Sequence, residues 1–189
     1  MAGLIESIGI NTDNIPVSGV KGEIVLIDKN IIDTSLTIFD ETNPSIIKNI
    51  GLKTGKKAVK YSTSKSGVKP SYEFEKQEVG GQYKHSLELK VFSTSQETFD
   101  EISKLSLIDV VAISEGNDGI FRVAGFEQGL TLTVMSYLPQ DVEGGRYISI
   151  TLSSDDSVAK ETKPVRELNQ GTYKDTSNLV YNTLLNPAS

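Results

Sequence analysis

The chain has 189 residues, no cysteine, no tryptophan, one histidine and a formal net charge of −6. The absence of cysteine excludes disulfides, thiolate metal sites and cysteine nucleophiles. An acidic chain is also poorly suited to gripping nucleic acid, whose affinity comes chiefly from phosphate neutralisation. Hydrophobic residues make up 37%, enough for one ordinary domain whose arms or long loops gain burial from neighbours.

Residues 1–20 mix small apolar and turn residues (Gly3, Gly9, Asn11, Asn14, Pro16, Gly19) without a period and read as an N-terminal arm. The opening MAGLIESIGIN has no basic region and no sustained apolar run, so no signal peptide is expected. No apolar stretch approaches the roughly 20 residues that span a bilayer. A soluble protein made in the cytoplasm, with no membrane partner, is the expectation.

A β domain is expected over 21–154. Its first strand is Gly22–Ile27, and a second is predicted at Ser35–Phe39, where Leu36 and Ile38 alternate with Thr37. Asn43-Pro44 reads as an N-cap followed by proline at the first helical position, opening one or two turns through Ile46, Ile47 and Ile50. Residues 53–69 then carry six lysines (Lys53, Lys56, Lys57, Lys60, Lys65, Lys69) and no acid, leaving −12 for the rest of the chain. This basic loop is either an extended hairpin or a mobile loop.

Tyr83–Val91 gives the cleanest strand signal: Tyr83, His85, Leu87, Leu89 and Val91 alternate with Lys84, Ser86, Glu88 and Lys90. Thr94-Ser95-Gln96-Glu97 reads as a capping box. It opens an amphipathic helix over 95–106 with Phe99, Ile102 and Leu105 on one side. Two hairpins follow. Val110–Ser114 and Ile120–Ala124 flank the Glu115–Gly119 turn, and Leu130–Tyr137 and Tyr147–Leu152 flank the Pro139–Gly145 turn. Residues 155–189 read as a C-terminal arm whose apolar cluster (Leu179, Val180, Tyr181, Leu184, Leu185) wants a partner surface. The order of elements predicts an antiparallel β-sandwich or partly open barrel with a single packed helix.

Candidate chemistry is thin. His85 shares a face with Leu87, Leu89 and Val91, which predicts a core or interface histidine rather than a catalytic or metal-binding one. Asp155, Asp156, Asp118 and Glu115 lack the spacing of a calcium loop and read as solvated turn carboxylates. The pairs Gly80-Gly81 and Gly144-Gly145 lack the strand and helix context of nucleotide binding. No catalytic residue, metal site or cofactor is therefore nominated, and the chain is not expected to be an enzyme.

Function is expected in the surfaces. A basic segment on an acidic body favours head-to-tail contact between copies, which generates rings or filaments. The candidate subunit-interface residues are the six lysines together with Tyr173, Leu179, Tyr181 and Leu184. A β-sandwich module binding a receptor or glycan is the alternative, although the chain has no Trp platform.

The stretches GVKPSYEFEK (67–76), YKHSLELKVFSTSQETFDEISKL (83–105), FRVAGFEQGLTLTVMSYL (121–138) and GGRYISITLSSDD (144–156) resemble phage and prophage virion proteins of Bacteroidetes hosts. That family is tail-tube-like, or forms the neck and ring of crAss-like phages. The resemblance covers roughly residues 20–156. It implies a tail-tube type of β-sandwich with one flanking helix, an extended loop and terminal arms. It implies a structural subunit of the virion, forming stacked rings of six or more copies. The implied partners are further copies, other tail or neck proteins, and DNA that passes through the lumen without specific binding.

Overall fold

The computed structural model describes residues 19–64, 67–76, 81–93, 95–137, 147–154 and 161–186. The predicted arm over 1–20 and the Pro139–Gly145 turn lie almost entirely outside these residues, as do Lys65, Thr94, Asp155, Asp156 and Gly80.

The chain is mainly β, and its described residues form two sheets, neither closed into a barrel. The strands are β1 (Val20–Asp28), β2 (Ile38–Phe39), β3 (Ile46–Asn49), β4 (Val59–Ser62), β5 (Val68–Lys76), β6 (Gly81–Val91), β7 (Val110–Gly116), β8 (Phe121–Ala124), β9 (Thr131–Tyr137), β10 (Ile148–Ser153) and β11 (Arg166–Leu168). Seven of them form one sheet in the order β2-β3-β11-β8-β7-β1-β4, and four form the other in the order β5-β6-β10-β9. All ladders are antiparallel except β11 with β3, which is parallel.

The central strands β1 and β7 of the larger sheet are buried on both faces. Ile24 and Leu26 of β1, with Val110 and Ala112 of β7, face the smaller sheet and pack on Leu87, Leu89, Ile148, Ile150 and Leu152. The alternate residues Val25, Ile27, Val111 and Ile113 face the other way, onto Leu168, Leu179, Val180 and Leu184. Burial on two faces requires apolar residues at every position, which explains the continuous runs IVLI (24–27) and VVAI (110–113). The smaller sheet has one dry face. Its other face carries Lys69, Glu88, Lys90, Ser149 and Thr151, the period-2 pattern of a half-buried sheet.

Helix α1 (Gln96–Leu105) connects the two sheets and buries Ile102 and Leu105 in the core between them. Its N-cap is Ser95, whose hydroxyl accepts the Thr98 amide at 3.3 Å; the cap was placed one residue earlier by the sequence pattern.

Three further expectations are corrected. The helix expected from Asn43-Pro44 is a turn followed by strand β3. Asn43 accepts the Ser45 amide through its side chain, an Asx turn; Ile46 and Ile47 then pair with β11, and Ile47 and Asn49 with β2. Cross-strand pairing on two sides outweighs a weak helical start. The strand expected at Ser35–Phe39 shortens to Ile38–Phe39, because Asp33 bonds the Ser35 amide and its carbonyl accepts the Thr37 hydroxyl. The C-terminal segment does not extend away. Residues 161–186 return to the domain as β11, helix α2 (Tyr173–Asn178) and a π-helical turn (Leu179–Thr183), which form a third layer. The single helix of the sequence reading therefore has a second, C-terminal companion.

Candidate functional site

The lysine-rich segment is not one loop. Lys53 donates to the Asn30 carbonyl at 2.7 Å beside the 3-10 turn Lys29–Ile31. Lys56 and Lys57 lie in the crossing to β4, and Lys60 on β4 meets Glu23 at 3.2 Å. Lys69 lies on β5, at 3.7 Å from Glu88 on the wet face of the smaller sheet. The fold thus distributes these lysines over separate surfaces, and Lys65 falls outside the described residues.

The C-terminal candidates gather around a carboxylate that local sequence did not reveal. Glu115 lies next to the end of β7 and is only 2% exposed, not a solvated turn carboxylate. It accepts the Tyr173 and Tyr181 hydroxyls, each at 2.9 Å, and it pairs with Lys21. Both tyrosine rings also pack on Phe121, with centroids 5.9 and 6.0 Å away. Burial and the hydrogen bond to Glu115 push the Tyr181 phenol upward, and the same carboxylate raises the Lys21 ammonium. Leu179 and Leu184 lie in the core beneath, and the Leu184 carbonyl accepts the Ala58 amide at 2.8 Å. These four residues therefore clamp the third layer onto the larger sheet. Of them, Tyr173 is substantially exposed.

A second polar cluster holds the strap 161–166. His85, 1% exposed, accepts the Gly125 amide at Nδ1 (3.1 Å). Nε2 therefore carries the proton and donates to the Lys163 carbonyl at 3.0 Å. Burial pulls the imidazole pKa below its ordinary value, against the opposing charge of Glu161. The Tyr72 ring meets His85 edge-on at 5.1 Å.

Glu161 accepts the amides of Glu127 and Gln128 at 2.9 Å. In return Glu127 accepts the Thr162 amide and hydroxyl, each at 2.7 Å, and pairs with Arg166. Each carboxylate thus caps the backbone of the other's segment. Burial raises the Glu127 pKa, but the bonds from Thr162 and Arg166 outweigh it and leave the carboxyl below its usual range. Arg166 also donates to the Pro44 carbonyl and lies against the Phe39 and Phe126 rings.

Chemically, both clusters are occupied by their own fold. Both ring nitrogens of His85 and the carboxylates of Glu115, Glu127 and Glu161 are already bonded within the chain. Asp118 is likewise engaged by Arg122 at 2.6 Å, which holds its carboxyl below the usual range. Among the described residues no group of three or more His, Asp or Glu is placed to hold a metal ion, and no helix is long and apolar enough to cross a membrane. None of Glu115, Glu127, Glu161 and Arg166 was identifiable from local sequence, since each acquires its role from partners 33 or more residues away.

Several of the exposed large apolar side chains lie at the sheet edges. Leu36, Ile38 and Phe39 are exposed around β2, Val59 is exposed on β4, and Val134 and Met135 are exposed on β9. Each of these strands ends its sheet. β9, TLTVMSY, also lacks the charged or proline residues that usually guard an edge.

Comparison with family models, with curated proteins and with solved structures found no match to this chain.

Proposed function

We propose that this chain is a structural subunit that assembles with copies of itself into a ring or tube, as a component of a phage virion. The observation that carries the reading is the exposure of large apolar side chains at sheet edges that have no ladder partner among the described residues: Leu36 and Ile38 at one end of the seven-stranded sheet, Val59 at the other. Edges at opposite ends of one sheet are different surfaces, and contact between unlike surfaces propagates into closed rings or open filaments. The internal saturation of the buried carboxylates and of His85 supports a structural role over a catalytic one. The virion setting and the tail-tube or neck-ring position rest on the sequence resemblance alone. On this reading DNA passes through the lumen unbound, and other tail or neck proteins cover the end faces.

Light scattering and negative-stain microscopy of the purified full chain test the proposal. Ring or tube particles that grow in proportion with protein concentration are expected. A strict monomer at the highest accessible concentration, together with absence from purified virions, would overturn it.

A further inference from the structure

We propose that residues 1–18 of one copy dock along the open edge of β4 in a second copy, seating apolar side chains in the groove between β4 and α1. The inference rests on the assembly reading above and names the contact that would carry it. β4 is the last strand of the seven-stranded sheet, so among the described residues its outer backbone groups have no ladder partner. An open edge beside an apolar groove is the arrangement that captures an extended segment, with backbone bonds giving affinity and the groove giving selectivity.

The groove exists because the smaller sheet does not cover this end. Leu26 opposite Val59 and Ile24 opposite Tyr61 place both β4 side chains on the inter-sheet face, where Leu105 of α1 and the following Ile108 line the groove with them. The result is a cavity of about 90 Å³ between Val59, Tyr61, Leu105 and Ile108. Val59 remains 45% exposed at its mouth. Burial, with Glu101 nearby, raises the Tyr61 phenol to about 12.

Charge selects the occupant. The acids within reach are already engaged: Glu101 with Lys104 at 3.2 Å, Glu23 with Lys60 at 3.2 Å, and Asp28 with the Asn30 amide at 2.8 Å. Among the described residues Lys56 and Lys57 have no carboxylate partner, so the edge carries surplus positive charge. Residues 1–18 complement it, having Glu6 and Asp13, no lysine or arginine, and the apolar residues Leu4, Ile5, Ile8 and Ile10. Fully extended, the segment reaches about 60 Å, enough to cross to a neighbour. Docking on its own β4 would require it to reverse at Gly19 and run back roughly 20 Å along the β1–β4 ladder to reach Val59.

The absence of cysteine makes the test direct. Full-length chains carrying Ile5→Cys, one of them lengthened by a size tag, are mixed with chains carrying Val59→Cys and bridged by a short bismaleimide. A cross-link between unlike chains is expected, dependent on both cysteines. Val59→Asp, at an exposed position and checked for folding by circular dichroism, is expected to raise the concentration needed for assembly about tenfold. If particles form but unlike chains do not cross-link, the docking is wrong while the ring reading stands. If the Ile5→Cys/Val59→Cys double variant closes only within one chain at high dilution, the second copy is excluded as donor. A chain that never assembles overturns both proposals.

Discussion

The two sheets solve the same burial problem differently. The seven-stranded sheet is dry on both faces at β1 and β7, between the smaller sheet and a C-terminal helical layer, and these two strands carry continuous apolar runs. The four-stranded sheet is dry on one face only, and its central strands β6 and β10 alternate strictly. The difference teaches that the C-terminal segment is not an appendage: without it, Val25, Ile27, Val111 and Ile113 would face water. Removing such surface from water is worth about 25 cal/mol per Å², and this sum holds the segment in place.

The comparison is broken most severely by attacking the double burial. Phe121→Ala removes the ring beneath Tyr173 and Tyr181, and a loss of about 3–5 kcal/mol is expected in denaturant unfolding. A cost below about 1 kcal/mol would show that the third layer does not depend on this face. Next in size is Glu115→Ala, which leaves the Tyr181 hydroxyl and the Lys21 ammonium without their acceptor. It should cost about 1–3 kcal/mol, and limited proteolysis should cut the C-terminal layer first.

A pH series sharpens the same contrast at the strap. The His85 pKa is depressed in the folded state, so the unfolded chain binds its proton first. Stability should therefore be full above the unfolded value of about 6.5 and fall as pH drops below it. Comparing unfolding midpoints at neutral pH and near pH 5 reads this window before the carboxylates of Glu127 and Asp118 titrate. A His85→Gln variant should lose the slope, and an unchanged slope would place its origin elsewhere. Smallest of all, Lys69→Ala on the wet face of the four-stranded sheet removes only an exposed pair with Glu88. The midpoint should move by less than about 1 kcal/mol. A larger loss would mean that this face is covered.

Much of the fold was legible where the period was undisturbed. Tyr83–Val91 alternates because one face of β6 is wet, and the helix at 95–106 shows its apolar stripe with a local cap. Both signals are written within a dozen residues. Ile46–Asn49 was misread because Asn-Pro opens a helix and a turn equally well, and only pairing with β2 and β11 decides between them. The roles of Glu115, Glu127 and Glu161 were illegible for a related reason. A carboxylate in a polar or glycine-containing stretch looks solvated until a distant strap or helix closes over it.

By itself, the sequence determined the β class, the half-buried strand, the amphipathic helix, the core placement of His85 and the lack of thiol chemistry. These follow from local periodicity and composition. Only the tertiary structure decided that the described lysines of 53–69 scatter over separate surfaces, that residues 161–186 build a third layer, and that β2, β4, β5 and β9 are the outermost strands among the described residues. Each of those depends on which segments distant in the chain meet, and burial energy decides that from the whole chain at once.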